Sequence, residues 1–138
     1  MSMELFIREL NEFDYETILC GWWEQWGWEA PKKDFLPNDG KGGIIVYDGD
    51  TPVCAGFMYL TNSKVAWVDW IISNKEYTKK PQRKDAIKLL VSGLTDICKI
   101  TGSKYSYALI KNQSLIATYE ELGYVKADSY TSEMIKTL

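Results

Sequence analysis

Apolar residues along this chain change their spacing several times, and each change marks an element. In "MELFIREL", Leu5 and Ile7 alternate with Phe6 and Arg8, the period of a half-buried strand. Asp14 can then N-cap "YETILCGWWEQW", where Ile18, Trp22 and Trp26 recur at four-residue spacing while Glu16 and Glu24 can face water. That spacing predicts a first helix despite Gly21. From Gly27 to Gly43, "GWEAPKKDFLPNDGKGG", Pro31, Pro37 and the glycines break any period and leave a loop with room for a helical turn. The loop is long for a structureless connection, which points to a binding role.

Two strand-grade runs follow, "GIIVYDGD" and "TPVCAGFMYLTN", parted by Asp48, Gly49, Asp50 and Pro52 in a hairpin signature. "KVAWVDWIIS" comes next, and three consecutive strands in a meander are the simplest arrangement. Between Gln82 and Thr101, Ile87, Leu90, Val91, Leu94, Ile97 and Cys98 fall on one helical stripe, closed by Gly102 at the C-cap. "SKYSYALI" returns to strand character with Tyr105, Tyr107 and Leu109 on one face. "NQSLIATYEELG" then predicts a short helix with Asn112 or Ser114 near its cap and Gly123 at its end. Two strand candidates, "YVKAD" and "TSEMIKTL", finish the chain.

Length and composition narrow the picture. A chain of 138 residues fits one domain, residues 1–138, with a single core. At 46% hydrophobic and 25% charged it reads as a soluble globular protein, and no apolar run approaches the roughly 18 residues of a membrane span. The start lacks a basic region followed by a continuous apolar stretch, so the expected location is the cytoplasm and no membrane association is expected. Cys20, Cys54 and Cys98 lack the paired spacing of a zinc site or a disulfide framework and read as reduced thiols. Histidine is absent, so no metal is expected and proton transfer falls to carboxylates, Tyr, Lys, Cys or water. A net charge of -3 argues against a nucleic-acid partner. The local cluster Lys79, Lys80, Arg83 and Lys84 suits a small anion better than a duplex.

The element order resembles that of the GNAT superfamily of acetyl-CoA-dependent N-acyltransferases over essentially the whole chain. The most specific local piece is "NQSLIATYEELGY", in which Asn112, Tyr119, Gly123 and Tyr124 match the spacing of the family's late motif. The resemblance implies an α/β (α+β) fold: a mixed, mostly antiparallel central sheet of about six to seven strands flanked by helices. It implies acetyl-CoA as co-substrate, with Asn112 contacting the pantetheine or its surroundings and Tyr119 protonating the thiolate that leaves. A phenol of pKa about 10 is a weaker acid than a thiol of about 8.5, so the site must assist that transfer. Trp70, Ile71, Ile72 and Ser73 occupy the strand whose main chain reads the pantetheine amides in the family. Asp69 falls near the position of an acidic general base; a carboxylate there would take the ammonium proton before the amine attacks the thioester. On its own, a strand Asp is as well explained by a solvated face or a Lys partner.

The family's glycine-rich phosphate loop is altered here. In "YTKKPQRKDAIKLL" only Ala86 keeps the small residue of the pattern, Lys84 stands where Gly is expected, and Pro81 where Arg or Gln is expected. Two readings follow. In one, the helix start (Gln82, Arg83, Lys84, Asp85, Ala86) still offers free N–H groups and its dipole to a pyrophosphate, while Lys79, Lys80, Arg83 and Lys84 replace lost backbone contacts with charge. In the other, the lysines are a solvated helix cap and the fold does not bind the cofactor tightly.

Six tryptophans exceed what a small core usually holds. Trp22 and Trp26 belong on the core face, whereas Trp23 or Trp28 are candidates for an acceptor site that, with Glu24, Glu29 and Asp34 near, suits a cationic amine or a peptide end. The leading expectation is therefore N-acetyl transfer by direct attack of a small-molecule or peptide amine. The alternative is a GNAT-fold binding protein without activity, acting through its Trp-rich loop on a protein partner. Assembly as a homodimer is compatible with either.

Overall fold

A computed structural model describes residues 4–77, 80–130 and 132–138. One five-stranded sheet runs in the order β1-β2-β3-β4-β5. Its strands are β1 (Leu5–Glu9), β2 (Gly43–Asp48), β3 (Thr51–Leu60), β4 (Val65–Ser73) and β5 (Tyr105–Tyr107). The first four pair antiparallel and β5 joins β4 in parallel. The sheet is mixed and mostly antiparallel, as expected, and β2-β3-β4 form the expected meander.

Alternation along the strands sorts the core into two layers. Ile44 and Val46 of β2, Cys54 of β3 and Ala66 and Val68 of β4 face α2 (Arg83–Ile100) and α3 (Gln113–Glu121). Ile45, Ala55, Phe57 and Ile72 face the opposite side, against Leu19, Trp22 and Trp23 of the first helical segment. That segment is a π-helical turn, Tyr15–Leu19, running into α1, Cys20–Gln25. Helix α2 buries Ala86, Ile87, Leu90, Val91, Leu94 and Cys98 along the stripe the sequence marks. Each such large apolar side chain contributes about 1.5–3 kcal/mol when fully buried. Gly102, at φ +105, lies just past the helix end in the expected cap region. No helix among the described residues is long and apolar enough to cross a membrane.

Three expectations are corrected. Asp14 does not cap α1: its own backbone is helical and its side chain makes no capping bond. Instead Arg8 of β1 holds both of its oxygens, at 2.7 and 2.8 Å, and the Asn11 N–H donates to it at 2.7 Å. A carboxylate that meets a guanidinium fork finds a stronger partner than a helix N–H. Second, residues 124–130 and 132–138 form no strand, so the sheet has five strands where six or seven were expected. In "TSEMIKTL", Met134 and Ile135 are consecutive, and a pleat would send them to opposite faces, leaving no single face to bury. Third, of "SKYSYALI" only Tyr105–Tyr107 forms β5, so Leu109 lies beyond the strand, and Tyr105, Tyr107 and Leu109 are all exposed.

The Arg8–Asp14 pair fastens β1 to the first helical segment. Burial would raise the Asp14 carboxyl, but the hydrogen bonds from Arg8 and Asn11 overcome it and hold it below the usual carboxylate range. Its stabilising contribution is therefore present above the ordinary pKa of about 4 and is lost as the pH falls through the depressed folded value. Asp14→Asn is expected to cost about 2 kcal/mol in urea unfolding at pH 7, with a smaller difference from the parent at pH 3. A pH-independent difference would remove the charge pair as its cause.

Candidate active site at the β4–β5 splay

Parallel pairing of β4 with β5 lasts for three residues, Val65 with Tyr105, Ala66 with Ser106 and Trp67 with Tyr107. Beyond Trp67, β4 continues to Ser73 paired only with β3. A parallel pair that parts in this way leaves a wedge between two strands, bordered by main-chain groups outside the strand ladder.

Within the wedge β4 carries a bulge. Phe57 pairs with Asp69 and Ala55 with Ile72, so Gly56 faces both Trp70 and Ile71. Trp70 takes φ +57, a conformation that a bulky side chain rarely adopts. The opposite strand must yield space: a Cβ on Gly56 would lie 2.5 Å from Ile71 Cδ1. The extra residue breaks the alternation. Asp69 shares a face with its partner Phe57, and Trp70 points to that same side, where Trp23 and Phe35 meet its ring edge-on at 6.5 and 5.7 Å.

Asp69 is half-buried. Its Oδ1 accepts the Trp70 N–H at 2.9 Å and its Oδ2 accepts the Leu109 N–H at 3.2 Å, across the gap between the parted strands. Burial nonetheless raises its carboxyl above the usual range, with the backbone donors opposing and the charge of Glu133 adding. A carboxylate with a raised pKa is a better base than an exposed one.

Tyr119 reaches the same place from the other side of the sheet. Asn112 starts α3 by accepting the Leu115 N–H at 3.0 Å, and two turns later the Tyr119 hydroxyl donates to Val68 O at 2.8 Å. Tyr119 is 2% exposed, and burial pushes its phenol well above 10, with the Asp69 charge adding to the effect. Tyr124 stacks edge-on against it at 4.8 Å and is itself fixed by Thr95 and Ser106. Asp69 and Tyr119 thus serve opposite faces of one strand, one residue apart along β4.

At the end of the wedge lies the start of α2. No side chain caps it; the Arg83 N–H turns back to Lys80 O and the Ala86 N–H to Gln82 O. Arg83 Nη2 donates to Ser73 Oγ at 3.2 Å, while Arg83 Nε and Gln82 Oε1 are buried without a partner among the described residues. Lys84 leans away, to Glu121 of α3 at 3.2 Å, and Lys80 is exposed beside a depression bordered by Asp48, Thr51, Glu76 and Tyr77. Asp85 is exposed and Ala86 is buried in the core. Lys79 lies outside the described residues.

The remaining sequence candidates scatter. Trp23 is 3% exposed and touches the site only through Trp70, while Trp28 is 55% exposed and stacks on Trp26 at 5.5 Å. The Trp26 indole N–H donates to Ser73 O at 2.8 Å, a tie of the first helix to the end of β4 that sequence reasoning missed. So were Phe35, Tyr59 and Trp67 as neighbours of Asp69. Tyr59 and Trp67 could have been found from the strand register, since they pair across β3 and β4 one pleat away from Phe57 and Asp69.

No family model matches the sequence, and no curated protein matches it either. Likeness appears in three dimensions. A GNAT family acetyltransferase of Staphylococcus aureus superposes with a TM-score of 0.61 at 16% identity, over 95% of this chain and 98% of that one. Glucosamine-6-phosphate N-acetyltransferase of Arabidopsis thaliana gives 0.66 at 13% identity, over 96% and 99%. N-acetylglutamate synthase of Neisseria gonorrhoeae, solved with coenzyme A and L-arginine, gives 0.69 at 13% identity over 90% of this chain and 28% of that larger one. With the parted parallel strands, the bulge where β4 pairs with β3 and the helix that starts beyond it, the chain has the GNAT acetyltransferase fold.

Proposed function

We propose that the protein is an N-acyltransferase that moves an acetyl group from acetyl-CoA to the amine of a small molecule or peptide by direct attack. One observation carries the reading: a carboxylate and a phenol, Asp69 and Tyr119, flank the opening between β4 and β5 from its two faces. The residues present fit the co-substrate. The Trp70 N–H is turned to Asp69 and Ser73 O to the Trp26 indole, which leaves the main chain of Ile71 and Ile72 between them, beyond the β5 pairing, to meet the amides of an extended pantetheine. The uncapped start of α2, with the unpartnered Arg83 Nε beside it, suits a pyrophosphate.

Acetyl-CoA supplies the activated thioester, so that the N–C bond forms as the C–S bond breaks. Asp69 takes the proton from the ammonium and frees the lone pair for attack. Tyr119, whose raised pKa keeps it protonated at neutral pH, donates its hydrogen towards the sulfur that leaves. The nitrogen sheds its second proton as the amide forms, and the departing thiolate takes it up to leave as the thiol; Tyr119 stays neutral and stabilises the charge on sulfur by hydrogen bonding, because a thiol is the stronger acid. Val68 O, its present acceptor, holds the hydroxyl in place until then.

The non-catalytic alternative has one observation in its favour. Lys84, expected at the phosphate, is ion-paired to Glu121 at 3.2 Å. Calorimetric titration separates the two: acetyl-CoA is expected to bind with Kd below about 1 mM at low salt and more weakly as salt rises. No heat at that concentration would sink the transferase reading. Lys80→Glu should weaken binding; equal affinity would assign Lys80 to the solvent.

Tyr119→Phe is expected to lower kcat at least about tenfold and stability by about 1 kcal/mol, leaving CoA affinity within twofold. An unchanged kcat removes Tyr119 from the chemistry. Because Asp69 must be ionised to act, kcat should rise with pH through a value above the usual carboxylate range of about 4. Asp69→Asn should erase that limb and lower kcat about a hundredfold. A limb that survives the substitution would assign the base elsewhere.

A further inference from the structure

The register of the sheet places aromatic side chains around Asp69. On the same face, Phe57 lies directly across from it on β3. Tyr59 pairs with Trp67, and Trp67 pairs with Tyr107, whose ring centroid is 4.4 Å from its own. These three therefore form a row across β3, β4 and β5, one pleat before Asp69. On the other flank the bulge sets Trp70, with the Phe35 ring 5.7 Å away. The Tyr59 hydroxyl closes the row to that flank by donating to Phe35 O at 3.2 Å. Phe35 and Tyr107 are 45% and 39% exposed, so the ring of side chains is open to solvent above. None of these neighbours carries a positive charge, and no ion pair involves Asp69 among the described residues.

A carboxylate bordered by aromatic side chains, with no ion-pair partner among the described residues, recognises a particular chemistry. An ammonium there gains the Asp69 charge and the negative faces of the rings at once. The organic body that carries the ammonium meets aromatic surface, and meets no lysine or arginine that would neutralise an acidic group. We propose that the acceptor is a primary amine carried on an aromatic or apolar body and lacking a carboxylate or phosphate, as in an arylalkylamine. This inference rests on the acyltransferase reading for its chemistry, but recognition of the amine can be measured without the co-substrate.

Phenylethylamine, ethylamine, phenylalanine and spermidine make the test, with quenching of tryptophan fluorescence as the binding readout in the absence of acetyl-CoA. Phenylethylamine should bind about tenfold more tightly than ethylamine, which lacks the ring, and than phenylalanine, which adds a carboxylate. It should also bind more tightly than spermidine. Phe35→Leu, in the loop and half exposed, should weaken phenylethylamine about fivefold with ethylamine unchanged, a difference that a general loss of folding would not produce. Equal affinities, or a preference for phenylalanine or spermidine, overturn the inference. The two proposals fail separately: absence of acetyl-CoA binding removes the transferase reading alone, and acetyl-CoA binding without a preference for the ring removes only the acceptor class.

Discussion

Two residues of β4 set against one glycine of β3 decide the shape of everything that follows. Trp70 and Ile71 oppose Gly56, and the backbone at Trp70 is held at φ +57. Such a conformation costs about 1–3 kcal/mol and persists only where packing over-determines it. Here the packing is visible: Trp23 and Phe35 grip the Trp70 ring on one face, and Ile71 fills the space above Gly56 on the other. Without the bulge, Asp69 and Trp70 would point to opposite sides. With it, a carboxylate and an indole lie side by side on one face, next to the opening that β5 leaves when it parts from β4.

Two carboxylates show how the surroundings divide structural from chemical roles. Asp14 and Asp69 both lose water on folding. Asp14 gains a guanidinium fork and a backbone donor, and its carboxyl is held below the usual range. Asp69 gains two backbone donors but no ion-pair partner among the described residues, and burial leaves its carboxyl above that range. The first stays ionised through the ordinary carboxylate range and ties β1 to the first helical segment. The second keeps a raised carboxyl bordered by aromatic side chains, the surroundings that suit the base of the proposed reaction.

Much of the fold was legible because its signals are local. The stripe from Ile87 to Cys98 needs only the helical period, the β2-β3 hairpin needs only its turn residues, and Asn112 caps α3 as its residue type suggests. Where local signals compete with distant partners, the sequence misled: Asp14 looked like a cap until Arg8 arrived from another element, and the last two apolar runs looked like strands although their described residues form none. The lysines ahead of and within the start of α2 were legible as charge but not as direction. Lys84 bends to Glu121, which the sequence separates from it by the whole of α2 and β5.

By itself, then, the sequence determined the order of elements, the faces of the long helix and the spacing that brings Tyr119 two turns into α3. It also placed Asp69 on the strand before α2. Only the tertiary structure decided that Asp69 and Tyr119 flank the same gap, because their meeting depends on a parallel pairing that ends after Trp67 and on a bulge spread over two strands. A bulge has no period and a parting of strands has no residue type. Both arise from how distant segments fit, and that fit is settled by packing rather than by any stretch of the chain alone.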